Sequence, residues 1–159
     1  MRLLCCLDGT NIKEISSAVS SMLRQDGLTV GVLYVTDTGP HGEIERQRER
    51  FPGRPPLPPM RREQMQRADV AAAQDILDEG VRYLPGAEKL QRTGRPEREI
   101  VIGASAWQAD LIVICPRSPQ RSEPALGPRS VGHVARFVLD HAPCPVLLVR
   151  KKSPIERLP

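Results

Sequence analysis

Four apolar runs punctuate the chain, and between them apolar residues return every third or fourth position. Met1 to Leu7, Leu28 to Val35, Leu111 to Cys115 and Val146 to Val149 are nearly continuous in apolar and β-branched residues. That pattern predicts strands buried on both faces. Asn11 to Gln25 carries Ile15, Ala18, Val19, Met22 and Leu23 at helical spacing, stopped by Asp26 and Gly27. Arg61 to Leu84 resumes that spacing through Met65, Ala68, Ala72, Ile76 and Leu84, and Pro85 and Gly86 end it. Gly94, Arg95 and Pro96 introduce a helix with Glu97 and Glu99 in its first turn and Ile100, Ala104 and Trp107 inward. Ser130 to His141 reads as a last helix with Val131, Val134, Phe137 and Val138 inward.

Ala87 to Thr93 is a weak strand by itself, because Glu88, Lys89, Gln91 and Arg92 leave little to bury. An edge position tolerates such charges, since one side faces water. With that strand included, strands alternate with helices. The alternation implies βα units, right-handed crossovers and a parallel sheet covered on both faces.

Composition changes the picture in four places. Thr36 to Met60 mixes Pro40, Pro52, Pro55, Pro56, Pro58 and Pro59 with glycines and charges, and reads as a flexible insertion at about 36–60 rather than core. The formal charge is +4, but +3 of it falls in the last ten residues, a basic tail over 151–159 and its neighbour Arg150. The folded body over 1–150 is therefore close to neutral, and aromatics are only 3%. A basic stripe interleaved with stacking aromatics, the footprint of a nucleic-acid binder, is missing. Cys5, Cys6, Cys115 and Cys144 fit neither metal-ligand nor secreted-disulfide spacing, and read as reduced thiols, the first two buried in a strand. No leader is read at the start and no apolar stretch approaches the roughly 20 residues that span a bilayer. The expectation is a cytoplasmic domain that binds neither membrane nor nucleic acid.

Asp8-Gly9-Thr10, Gly94-Arg95-Pro96, Ala109 to Ile114 and His141 to Val149, in that order and spacing, resemble the universal stress protein family over almost the full length. Asp8-Gly9-Thr10 after the first strand resembles that family's Asp-Gly-Ser corner, and Gly94-Arg95-Pro96 its glycine-x-proline helix start. Ala109 to Ile114 is similar to its alanine-aspartate-leucine-isoleucine-valine strand, and His141-Ala142-Pro143-Cys144-Pro145-Val146-Leu147-Leu148-Val149 is the most specific match. The resemblance implies an α/β fold with a five-stranded parallel sheet in the order 3-2-1-4-5 and helices on both faces. It implies a role in stress adaptation, a homodimer joined through the last strand and, in one branch, an ATP or AMP site.

Ligands of open parallel sheets collect beyond the carboxyl ends of the strands, near helix N-termini. In the ATP-binding branch, the fourth strand leads into glycine, two residues, glycine, nine residues, then glycine and serine or threonine. Here Cys115 and Ser118 stand at the first two glycine positions, thirteen residues separate Ser118 from Gly132, and His133 replaces the hydroxyl residue. A side chain bars phosphate from the backbone amides, and Pro116 removes a further donor. The resemblance places Asp8 at the ribose hydroxyls, Val35 beside adenine, and Gly9 and Thr10 at a helix N-terminus. Asp8 also has a plainer reading as the cap of that helix. Arg117, Arg121 and Arg129 either offer phosphate contacts in place of lost amides or are solvated loop charges. His133 reads as a surface or capping histidine, and Trp107 as core rather than a ligand platform.

No nucleophile elbow, no dinucleotide-binding glycine fingerprint after the first strand and no Walker loop occurs in the sequence. The reading is therefore a non-catalytic stress-response regulator, a dimeric module with an unidentified protein partner and a degenerate nucleotide site. The alternative is a switch that senses ATP or AMP.

Overall fold

Strands and helices alternate from end to end in the computed structural model, which describes residues 1–24, 26–39, 59–116 and 131–150. The order is β1 (Arg2–Leu7), α1 (Ile12–Met22), β2 (Thr29–Asp37), α2 (Pro59–Tyr83), β3 (Glu88–Gly94), α3 (Pro96–Ala106), β4 (Leu111–Ile114), α4 (His133–His141) and β5 (Val146–Leu148). All pairings are parallel, in the sheet order β3-β2-β1-β4-β5. β1 is central. Leu3, Leu4 and Cys5 face Val30, Gly31 and Val32 on one side and Leu111, Ile112 and Val113 on the other.

Alternation along each strand divides the core into two layers, which is why the runs are apolar at every position. Leu4, Cys6, Leu33, Val35, Ile112 and Ile114 pack beneath Ile100, Ala104 and Trp107 of the α3 segment and Ala135 and Val138 of α4. Leu3, Cys5, Leu7, Val32 and Val113 pack beneath Ile12, Ile15 and Val19 of α1 and Leu77 of α2. Burial suppresses thiol ionisation, and it pushes Cys5 up to about 12 and Cys6 higher still.

Small residues let helices approach the sheet. A Cβ on Gly80 of α2 would stand 2.8 Å from Leu7 Cδ1, and one on Gly31 of β2 would stand 2.9 Å from Trp107 Cζ2. The indole that occupies this space is pinned at the amino end of the sheet. Its Nε1 donates to Glu88 Oε2 at 2.9 Å, and the Arg2 guanidinium lies 4.2 Å above the ring while Arg2 Nε donates to Trp107 O. Trp107 is thus core, remote from the carboxyl edge where a ligand would sit.

Several expected boundaries move. Thr36 and Asp37 continue β2, because they pair with Thr93 and Gly94, and Pro59 and Met60 open α2, a position that suits proline. Residues 40–58 of the proline-rich segment lie outside the described residues, as do 117–130 and the basic tail 151–159. Met22 is 65% exposed instead of inward, because α1 ends there, and Ile12 takes a core place at the helix start. In α2 the buried residues are Ala73, Leu77 and Gly80, one position on from the expected stripe through Ala72 and Ile76. β3 is the charged edge that its composition predicts. Lys89 pairs with Asp78 of α2, and Arg92 Nε donates to Glu99 Oε2 of α3 at 2.6 Å.

Candidate functional site

At the carboxyl edge of the sheet the order reverses between β1 and β4, and the helices that follow these two strands, α1 and α4, pack on opposite faces. β1 exits into the turn Asp8-Gly9-Thr10-Asn11. Gly9 holds φ +88°, a conformation that side chains disfavour. Asp8 Oδ1 accepts from Thr10 N–H at 2.8 Å and from Thr10 Oγ1 at 3.0 Å, an aspartate side chain closing its own turn. The cap reading of Asp8 is therefore corrected: the N-cap position of α1 belongs to Asn11, and Asp8 stabilises the preceding turn.

Asn11 does not cap the helix with its side chain either. Its amide is buried and spans the turn, accepting from Asp8 N–H at 3.1 Å and donating to Cys6 O at 3.0 Å. Cys115, the first residue after β4, lies near this side chain. Cys115 is half-buried in the α1 and α2 layer. Burial, then the nearby Asp8 and Glu14 carboxylates, push its thiol up to about 12. A side chain and two negative charges therefore stand near this strand end.

Val35 sits in the other layer, buried beneath α3 and α4. One residue on, Thr36 Oγ1 is buried without a hydrogen-bond partner, at a cost of about 1–3 kcal/mol for such a group. On the α2 side, Tyr34 is raised by burial and then by Asp69, Asp37 and Asp8, so the carboxyl edge is negative there as well.

Gly132 keeps φ +86° at the N-cap of α4, a glycine position by conformation. His133 follows, 77% exposed, with Nε2 3.7 Å from Glu97 Oε1 of α3. It is a surface residue and supplies no side-chain cap. The structure thus gathers Asp8, Gly9, Thr10 and Cys115 around Asn11, and sets Val35, Gly132 and His133 in the opposite layer. Arg117 and Ser118, with Arg121 and Arg129, lie outside the described residues. Asn11 was missed by sequence reasoning. Its only signal is an asparagine three residues after the turn aspartate, at the start of an apolar helical pattern.

Fit to a nucleotide divides in the same way. Among the described residues the contacts of the Asp8 carboxylate with Thr10 both engage Oδ1, which leaves the other oxygen to a ribose hydroxyl, while a side chain at Cys115 stands where a cradle of bare amides would need none. No cluster of three or more His, Cys, Asp or Glu able to hold a metal occurs among the described residues. Among them, no helix is long and apolar enough to cross a membrane.

A family model described as the universal stress protein family matches residues 1–150. A universal stress protein from Lactobacillus plantarum is 22% identical, with 94% of this chain and 97% of that chain covered and a TM-score of 0.67. A universal stress protein family protein from Arabidopsis thaliana, solved with AMP bound, is 16% identical over 98% of this chain and 97% of that chain, with a TM-score of 0.62. A third, from Archaeoglobus fulgidus, is 21% identical over 94% and 93% of the two chains, with a TM-score of 0.55. No curated protein matches the chain.

Proposed function

Because the chain belongs to the universal stress protein family, we propose that it is a non-catalytic regulator of stress adaptation. It acts as a homodimeric interaction module whose nucleotide site has lost its grip on polyphosphate. The observation that carries this reading is the Cys115 corner. There a half-buried thiol, with the Glu14 carboxylate near it, stands where that family's ATP-binding branch places a bare glycine. A triphosphate brought to this corner meets bulk and like charge together.

The nucleoside half of the site is retained in this reading, with Asp8 as the ribose acceptor and Thr10 shaping the turn. The second reading, a nucleotide-sensing switch, is favoured by that same half and by the AMP held by the Arabidopsis relative. It differs in what phosphate contributes to affinity.

Equilibrium titration of protein purified without nucleotide separates the two, using ATP, AMP and adenosine, each repeated on Asp8→Ala. The first reading expects ATP to gain nothing over adenosine. Micromolar ATP binding, about a hundredfold or more tighter than adenosine and lost in Asp8→Ala, would overturn it. Phosphate release above a boiled control would overturn the non-catalytic assignment.

A further inference from the structure

Asn11 is the one polar residue in the buried class among the described residues, 6% exposed. An amide removed from water must be matched to partners, and both ends of this one are matched. Oδ1 accepts the Asp8 N–H, and Nδ2 donates to Cys6 O. The two partners fix the amide's orientation, because one end meets a donor and the other an acceptor. Asn11 also stands at the N-cap of α1, where asparagine is among the residues best able to satisfy a free helix N–H. It forgoes that role. The side chain instead holds the chain on either side of Leu7, where β1 ends.

We propose that Asn11 is the positioning residue of the ligand site: its buried amide fixes the Cys6 to Asp8 backbone, so that the Asp8 carboxylate is set before any ligand arrives. Three contacts make the device. Asn11 Oδ1 locks the Asp8 N–H, Thr10 locks Asp8 Oδ1 through its N–H and hydroxyl, and Gly9 at φ +88° permits the turn that lets both form. Among the described residues these contacts leave Oδ2 of Asp8 to a ligand. Such preorganisation raises affinity by removing the cost of ordering the turn on binding. The inference rests on the reading that the nucleoside half of the site is retained.

The test uses AMP as probe on the full chain, with Asn11→Ala, Asn11→Ser, Asp8→Ala and the double variant Asp8→Ala/Asn11→Ala. Two quantities are read: the AMP dissociation constant, and hydrogen exchange at the Asp8 and Thr10 amides. Losing the amide should weaken AMP by about five- to tenfold, the worth of a hydrogen bond or two. In the Asp8→Ala background the same change should cost under about twofold, because Asn11 acts through Asp8. A merely structural residue would give additive losses. Asn11→Ser supplies a good helix cap, so it should melt near the wild type and still speed Asp8 amide exchange on the order of tenfold. An additive cycle, or an Asp8 amide exchanging at the wild-type rate in both Asn11 variants, overturns the proposal. If the wild type binds no AMP, the nucleoside reading falls, and exchange alone decides the positioning role: acceleration supports it and an unchanged rate overturns it.

Discussion

The thiol of Cys115 offers a direct measure of the field at the mouth of the site. An ordinary thiol of this kind ionises at 9.0, and here burial and then the Asp8 and Glu14 carboxylates push it up to about 12. Three units leave roughly a thousandfold less thiolate at pH 8. The thiolate of a weaker acid is also the better nucleophile, with a Brønsted slope of about 0.4–0.5, which returns roughly twentyfold. Cys115 should therefore react with iodoacetamide about fiftyfold more slowly than glutathione at pH 8. The measurement belongs on a Cys144→Ser background, since Cys144 is also partly exposed, whereas Cys5 and Cys6 are sealed in the core. Mass mapping confirms the labelled site. Steric shielding alone would slow the reaction but leave its pH inflection near 9. Burial and the carboxylates together predict a rate still climbing with pH above 10, and Glu14→Gln, which removes part of the charge, should accelerate it. An inflection near 9, unmoved by Glu14→Gln, would refute the claim that negative charge crowds this corner.

Other consequences follow from the packing. Gly31→Ala would press a Cβ to 2.9 Å from Trp107 Cζ2 and 3.1 Å from Cη2, against an indole held by Glu88 and Arg2. Overpacking of about 1–3 kcal/mol should outweigh the roughly 0.5–1 kcal/mol that alanine regains over glycine in a strand, and the net penalty in urea unfolding should vanish in a Trp107→Phe background. Folded Cys5, Cys6 and Cys115 keep protons that the unfolded chain sheds above pH 9, so stability should be unaffected below 9 and fall as pH rises from 9 toward 12. Replacing Cys5 and Cys6 by valine should flatten that slope, and an unchanged slope would contradict their burial as thiols. Val149 N–H donates to Ile114 O and Ile112 N–H to Pro145 O, so by alternation Leu148 N–H faces away from β4. Leu148→Pro should then spare the sheet and give monomers by native mass spectrometry where the wild type gives dimers; a persistent dimer would remove this edge as the interface.

Much of this architecture was legible in the chain, for unequal reasons. The runs Met1 to Leu7 and Leu111 to Cys115 announce strands because burial on both faces requires apolar residues without interruption, and Ala87 to Thr93 announces an edge by its charges. Strand order came from the resemblance, since periodicity says which segments are strands and not which lie side by side. α2 defeated the pattern by one residue. Its alanines at 68, 71, 72 and 73 draw adjacent stripes of nearly equal hydrophobicity, and only the crossing over Leu7 and Val32 at Gly80 selects the stripe with Ala73 and Leu77. At the site, Asp8, Gly9 and Thr10 were readable as a turn, but the partner of Asp8 was misjudged. An aspartate in that position can cap the helix ahead or close its own turn, and hydrogen-bond geometry decides. Asn11 was unreadable because burial of a polar side chain depends on backbone groups, Asp8 N–H and Cys6 O, that no residue code displays.

The charged margin at β3 bears on how many copies can join. A parallel sheet with two bare sides would invite chain after chain to add without end, as fibres do. Here Lys89 and Arg92, tied to Asp78 and Glu99, dress one side with ionic groups and leave β5 as the side suited to continuation. A molecule able to extend in one direction only is spent after a single union, so if β5 is the joining edge proposed above, the sheet that builds the site would also stop its own growth at two.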